Sequence, residues 1–129
     1  MTRLLLDTHV LIWMLAEPKQ LSARLREMLG DPGVTRFVSA VSAYEIAQLV
    51  RLNRLAEGEQ VLSGYSSHLQ RLHAIELPLT TKHALLAGSF PQAHRDPFDR
   101  MLAAQSILEE LPLATADSKM ANFGVTVIW

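Results

Sequence analysis

Short apolar runs alternate with longer helical segments along the whole chain, and this alternation restricts the folds available to it. The runs read RLLL, VTRFVS, AIELPL, LPLATA and VTVIW, and they begin at residues 3, 34, 74, 111 and 125. None shows a clean alternation of polar and apolar residues, which is typical of strands buried on both faces in a parallel sheet. The pattern predicts an α/β fold, a three-layer α/β/α sandwich around a central, mainly parallel sheet of four or five strands.

The segments between these runs have the spacing of amphipathic helices. The predicted helices cover residues 8–16, 22–29, 42–52, 59–73 and 80–89, then a long helix from the HRDPFDR segment to about residue 111 and a short turn or helix at 117–122. The sequence contains no internal repeat, low-complexity segment or linker. Residues 1–129 are therefore predicted to form a single domain.

The composition excludes several kinds of site. The chain has no cysteine, which rules out disulfides, thiolate metal ligands and a cysteine nucleophile, and which fits a reducing compartment. Asp7 and His9 interrupt the apolar N-terminus, which makes it a poor signal peptide, and no apolar run is long enough to span a membrane. We expect a cytoplasmic protein with no membrane contact. The net charge of −1 predicts no generally basic surface, so a nucleic-acid ligand would need local basic residues or metal ions.

Four acids occupy equivalent places at predicted helix N-termini. Asp7 and Asp117 end predicted strands, and Glu45 lies in the first predicted turn of the helix after VTRFVS. Asp99 lies in the first turn of the long helix. Since the carboxyl ends of parallel strands share one edge, where ligands bind, we expect these side chains to lie together.

Helix capping explains each acid taken alone. Ser42 to Glu45 reads as an S-x-x-E capping box, and Asp96 before Pro97 reads as an N-cap followed by proline at the first helical position. Four clustered carboxylates are harder to explain this way, because a like-charge pair at about 4 Å costs on the order of 4 kcal/mol at an effective dielectric near 20. A divalent cation would neutralise the cluster, and all-oxygen ligands suit Mg²⁺ or Mn²⁺ rather than zinc.

Four segments in order carry a resemblance to a known family. LLLDTHVLIW, SAVSAYEIA, HRDPFDRMLAAQ and LATAD resemble the acidic motifs of PIN-domain ribonucleases, and their spacing is similar to that of VapC-type toxins of bacterial toxin–antitoxin modules. The resemblance implies a Mg²⁺- or Mn²⁺-dependent endoribonuclease that hydrolyses RNA phosphodiester bonds with a metal-activated water. It also implies a homodimer and inhibition by a cognate VapB-type antitoxin.

Position by position, the resemblance implies that four acids are both catalytic and metal ligands: Asp7, Glu45, Asp99 and Asp117. The neighbouring residues Thr8, Ser42 and Thr115 are candidate supporting residues that would orient the acids or bind phosphate, and local capping and turn bonds are an equally good interpretation. Asp96 is a further candidate that could contribute through water, although N-capping explains it fully.

Two other polar residues lie beside these acids. Arg100 is a candidate RNA contact, and a solvated ion pair is the alternative. His94 falls near Asp99, and we expect it to be a polar bystander.

The residues of the chain leave two other classes of function open. A phosphatase of the haloacid dehalogenase type, or a phosphoacceptor receiver, would also use Mg²⁺ on an α/β fold. The phosphatase pattern requires D-x-D after the first strand, where this chain has Asp7, Thr8 and His9. The other alternative is a non-catalytic binding domain whose acids only cap helices.

Overall fold

The computed structural model describes residues 2–129, and in that part of the chain it shows one five-stranded sheet with the order β3-β2-β1-β4-β5. The strands are β1 (Arg3–Leu6), β2 (Thr35–Ser39), β3 (Ile75–Leu77), β4 (Leu113–Ala114) and β5 (Val127–Ile128). All neighbouring strands are parallel, and Leu5 of β1 lies opposite Phe37 on one side and Leu113 on the other. The predicted parallel sheet is confirmed.

Helices connect and cover these strands. They are α1 (Thr8–Ala16), α2 (Ala23–Leu29), α3 (Ala40–Arg51), α4 (Gly58–Leu62), α5 (Tyr65–Arg71), α6 (Thr81–Ser89) and α7 (Pro97–Leu108). Two 3₁₀ helices, Pro18–Gln20 and Ser118–Phe123, complete the chain. None of the helices within residues 2–129 has the length and apolar content needed to cross a membrane.

Strand β1 shows why the apolar runs lack alternation. Leu4, Leu5 and Leu6 are all fully buried. Leu4 and Leu6 belong to a core that includes Leu11, and Leu5 belongs to a second core that includes Leu102. Because successive side chains of a strand point to opposite faces, two cores on opposite faces require an unbroken apolar strand. The α/β/α sandwich is therefore confirmed.

The predicted start of α3 is wrong. The helix begins at Ala40 rather than near Ser42, and its N-cap is Ser39, whose hydroxyl accepts the Val41 N–H at 3.0 Å. The S-x-x-E capping box is therefore absent, and Glu45 lies in the second turn rather than the first. Ser42 is fully buried and faces the first helix instead.

The predicted helix over residues 59–73 is broken into α4 and α5. Gly64 lies between them with φ at 70°, a left-handed conformation that glycine adopts at little steric cost. The long helix α7 also ends at Leu108, before the predicted end, and Glu110 takes a φ of 54° just beyond it.

Candidate active site at the carboxyl edge of the sheet

Strand β1 occupies the middle of the sheet, with β2 on one side and β4 on the other. The chain order reverses at this point, which is where open parallel sheets bind ligands beyond their carboxyl ends. Asp7 follows β1 directly, Thr115 follows β4, and α3 starts directly after β2. The predicted meeting of the motifs at one edge therefore follows from the strand order.

Asp7 is held from two directions. It caps α1 by accepting the His9 N–H on Oδ1 at 3.2 Å, and its Oδ2 accepts the Thr115 hydroxyl at 2.5 Å. Thr115 is fully buried, and its Oγ1 also accepts the Asp117 N–H at 3.1 Å. Thr115 therefore contacts Asp7 across the sheet and also closes the turn to Asp117.

Glu45 lies above a buried pair of hydroxyls. Thr8 Oγ1 and Ser42 Oγ are 2.9 Å apart, and both residues are fully buried. Burial raises the pKa of Glu45 above its ordinary 4.5, the nearby Thr8 hydroxyl and His9 oppose this, and the charge of Asp7 adds to it. Thr8 and Ser42 thus link α1 to α3 beneath the carboxylate.

Asp99 and Asp96 have different surroundings, although both lie at the start of α7. Asp96 is the N-cap, and its Oδ1 accepts the N–H groups of Phe98 at 2.8 Å and Asp99 at 3.2 Å. Asp99 Oδ2 accepts a hydrogen bond from His94 Nε2 at 2.8 Å. Burial raises the pKa of Asp99, the His94 bond opposes this, and the charges of Asp96 and Asp7 add to it.

His94 was expected to be a bystander and is a direct partner of Asp99. The sequence offers one signal for this contact, a histidine five residues before the acid in a loop that ends at a proline. Without the conformation of the loop, the spacing in sequence does not show whether His94 and Asp99 are in contact.

Asp117 stands apart from the other three acids. Its Oδ1 accepts the Lys119 N–H at 3.0 Å and caps the second 3₁₀ helix. Its charge is not among those that shift the pKa of Glu45 or Asp99. The charges of Asp7 and Asp96 act on both Glu45 and Asp99, so these four carboxylates lie near one another, and the Asp117 N–H is linked to Asp7 through Thr115.

Arg100 has a structural role that the sequence did not indicate. Its guanidinium donates to the carbonyl oxygens of Ala87, Phe90, Gln92 and His94 at 2.7–2.9 Å. The expected ion pair is absent from residues 2–129, where the ion pairs join His83 to Glu109 and His94 to Asp99. Because four of its five N–H groups are bound to the backbone, the expectation of an RNA contact by Arg100 is replaced by a role in holding the loop.

The donor set at this edge suits a hard divalent cation. Asp7, Glu45 and Asp99 offer only carboxylate oxygens, the ligands that Mg²⁺ and Mn²⁺ prefer. Each ionised carboxylate has about four acceptor positions, so the two bonds to Asp7 leave capacity for a ligand. Within residues 2–129 no three Asp, Glu or His side chains converge into a ready-made metal site. Ion binding therefore requires these carboxylates to turn toward a common point.

Comparison with known proteins agrees with this architecture. The PIN domain family model matches residues 4–125. Ribonuclease VapC22 of Mycobacterium tuberculosis is 32% identical over 125 residues, which is 95% of this chain and 92% of that protein. VapBC2 of Rickettsia felis, solved with a DNA fragment from its promoter, has a TM-score of 0.73 at 16% identity over 98% of both chains.

A second solved structure shares the fold. A toxin–antitoxin complex from Klebsiella pneumoniae has a TM-score of 0.60 at 16% identity, over 98% of this chain and 96% of that one. At these identities the solved structures support the fold alone, whereas the family model and the VapC relative each span nearly the whole chain. The chain belongs to the PIN domain family and is a VapC-type member of it.

Proposed function

We propose that this protein is a Mg²⁺- or Mn²⁺-dependent endoribonuclease and the toxin of a toxin–antitoxin pair. The observation that carries the proposal is the set of acids from three separate segments at the carboxyl edge. Burial raises the pKa of both Glu45 and Asp99 and the charge of Asp7 adds to it, so a cation between these carboxylates would relieve a repulsion that the fold imposes. The similarity to a VapC ribonuclease supports RNA as the substrate.

Asp7, Glu45 and Asp99 would hold the ion, and Asp117 would contribute from the margin. A divalent cation bound there would lower the pKa of a water molecule and stabilise charge on the phosphate and the leaving oxygen. The chain itself positions the carboxylates. Thr115 directs Asp7, and the buried hydroxyls below Glu45 join the two helices that carry the first two motifs.

The substrate must approach from the open side of the edge. Arg95 and Lys119 each lie next to a motif residue, and both side chains are exposed. They are the local cations that an RNA backbone could meet there, in the role first assigned to Arg100. The low net charge of the chain makes such local contacts necessary.

A VapB-type antitoxin and a second copy of the chain complete the proposal as partners. The 32% identity to a VapC ribonuclease, together with the resemblance to VapC-type toxins, supports the first. The second copy of the chain is supported by three exposed apolar side chains. Tyr44 on α3 is 63% exposed, Leu79 before α6 is 38% exposed and Leu85 on α6 is 66% exposed. Tyr44 and Leu79 line one apolar groove, and an exposed apolar surface of this kind marks a protein interface.

Cleavage of RNA by the purified protein, freed of any partner, tests the function. We expect cleavage of a panel of structured RNAs with Mg²⁺ or Mn²⁺ and silence in EDTA. Glu45→Gln should abolish cleavage while keeping the far-ultraviolet circular dichroism of the wild type. Cleavage that persists in EDTA would contradict the metal-dependent mechanism.

The same experiment separates the alternatives. A domain whose acids only cap helices would bind no Mn²⁺ in calorimetry and cut no RNA. A phosphohydrolase of another class would bind the ion and release phosphate from small phosphate esters, without cutting RNA.

A further inference from the structure

The loop between α6 and α7 brings His94 to Asp99. His94 Nε2 lies 2.8 Å from Asp99 Oδ2, and the two side chains are 23% and 26% exposed. An ionised carboxylate can only accept, so Nε2 carries the proton and donates. One oxygen of Asp99 is therefore directed by a residue outside the helix that carries it.

The His94 ring is itself fixed from behind. The His94 ring packs against the Phe123 ring with centroids 5.2 Å apart. The Phe90 ring also packs against Phe123, with centroids 4.8 Å apart. Phe123 is 5% exposed and belongs to the second core. The imidazole is thus held between a core aromatic ring and the carboxylate.

Arg100 fixes the loop backbone that presents this ring. Its guanidinium bonds the carbonyls of Ala87 at 2.9 Å, Phe90 at 2.7 Å, Gln92 at 2.9 Å and His94 at 2.8 Å. Phe90, Gln92 and His94 lie between α6 and α7, where the chain has no regular secondary structure, and Ala87 lies in the last turn of α6. Their carbonyl oxygens therefore need partners from elsewhere. Arg100 also follows Asp99 directly on α7, so one helix carries both the acid and the clamp.

We propose that Arg100 and His94 are positioning residues that set the orientation of the Asp99 carboxylate for metal binding. Arg100 closes the loop, the loop positions His94, and His94 binds Oδ2, so that the Oδ1 atom would serve the metal ion. The inference rests on the proposed metal-dependent function. Partners of this kind, which hydrogen-bond a ligating carboxylate, change metal affinity or activity by about 10–100-fold when they are removed.

Three histidine variants test the first link. His94→Ala should weaken Mn²⁺ binding about 10–100-fold in calorimetry with Mn²⁺ alone. His94→Gln, which keeps an amide N–H near the position of Nε2, should restore most of that loss. His68→Ala removes a partly buried histidine from α5, away from the acids, and should leave the affinity unchanged. Raising Mn²⁺ should recover RNA cleavage by His94→Ala, which a damaged fold would not allow.

A pair of arginine variants tests the second link. Arg36 also donates to backbone carbonyls, those of Leu29 at 2.8 Å, Leu72 at 3.3 Å and Asp31 at 3.4 Å, and it lies near the opposite end of β2. Lysine cannot reproduce the planar fork in either place. Arg100→Lys and Arg36→Lys should both lower the melting temperature, but only Arg100→Lys should weaken Mn²⁺ binding.

The outcomes distinguish this inference from the function on which it rests. If the wild type binds Mn²⁺ and cuts RNA while His94→Ala binds Mn²⁺ within twofold of wild type, the positioning role is wrong and the function stands. Equal effects of Arg100→Lys and Arg36→Lys on affinity would also overturn it. A wild type that neither binds Mn²⁺ nor cuts RNA overturns both. If Arg100→Lys does not fold, the histidine series decides alone.

Discussion

The Thr115 hydroxyl donates to Asp7 Oδ2 at 2.5 Å, and this single bond joins the ends of the two neighbouring strands β1 and β4. The two residues are 108 positions apart in the chain. Thr115 is also fully buried, so its hydroxyl has no access to water as an alternative partner. The orientation of Asp7 therefore depends on a hydroxyl from the motif at the other end of the chain.

The variant Thr115→Val tests the effect of the hydroxyl on the orientation of Asp7 separately from the effect of side-chain packing. Valine keeps the shape but removes the bonds to Asp7 and to the Asp117 N–H, and we expect RNA cleavage to fall about 10–100-fold. The unpaired Asp117 N–H should cost about 1–3 kcal/mol of unfolding free energy. Thr115→Ser keeps the hydroxyl and loses one methyl group, which costs about 1 kcal/mol, and should retain activity. Equal activity in the two variants, measured with urea unfolding alongside, would exclude a role for the hydroxyl.

Asp96 and Asp99 should differ in their effects on turnover. Asp96 serves as an N-cap through two backbone N–H groups, and asparagine caps about as well, so Asp96→Asn should keep most RNA cleavage. Asp96→Ala should lose about 1 kcal/mol of stability as the cap is removed. Asp99→Asn should abolish cleavage with the fold intact, because the charge that would bind the ion is lost. The reverse ranking in single-turnover assays would show that Asp96 is the third ligand.

The metal-free protein should lose stability as the pH rises from about 4 toward neutral. The pKa values of Glu45 and Asp99 are raised in the fold, so the folded state holds protons that the unfolded chain has released above 4.5 and 3.8 respectively. Stability then falls as pH rises from these unfolded values through the folded ones, and the penalty is complete above them. Thermal unfolding in EDTA across this range measures the effect.

Removing one of these charges supplies the control. Glu45→Gln and Asp99→Asn should show a shallower pH dependence in EDTA and melt higher than wild type at neutral pH. Mg²⁺ should raise the melting temperature of the wild type more than that of either variant, because it binds only the folded state. Variants that melt well below wild type in EDTA, with no response to Mg²⁺ in any of the three proteins, would give Glu45 and Asp99 a structural role in place of metal binding.

The proposed homodimer can be tested at Leu85, which is 66% exposed on α6. A charge buried in an apolar interface is costly, so Leu85→Glu should convert the dimer to a monomer in sedimentation velocity. Leu52→Glu, at a position 43% exposed just after α3, serves as the control and should leave the mass unchanged. An unaltered mass for Leu85→Glu would place the contact elsewhere or exclude it.

Much of the fold was predictable because it depends on local signals. The unbroken apolar run of β1 indicated a parallel sheet, and Asp96 before Pro97 identified the start of α7. Glycine at position 64 was missed as a helix breaker because glycine inside a helix is often tolerated. Ser42 was misassigned as a cap because Ser39 competes for the same role and Thr8 offers the buried hydroxyl of Ser42 another partner.

The site was predictable in its acids and not in their partners. Motif order is enough to bring Asp7, Glu45 and Asp99 to one edge once the sheet is parallel. The links from Arg100 to the loop and from His94 to Asp99 depend on an irregular backbone path, for which the sequence carries no periodic signal. The sequence alone therefore does not show that His94 contacts Asp99 rather than being a bystander. It also does not show that Arg100 binds the loop rather than RNA.

The central place of β1 in the sheet has a consequence for synthesis. Leu5 and Leu6 pair with Leu113 and Ala114, so β1 gains its second neighbour only after more than a hundred further residues have been synthesised. Asp7 is made early, and its partner Thr115 is made 108 positions later. A chain that still lacks β4 therefore has nothing in the place of Thr115, and this edge of the sheet takes its final form only when β4 joins it.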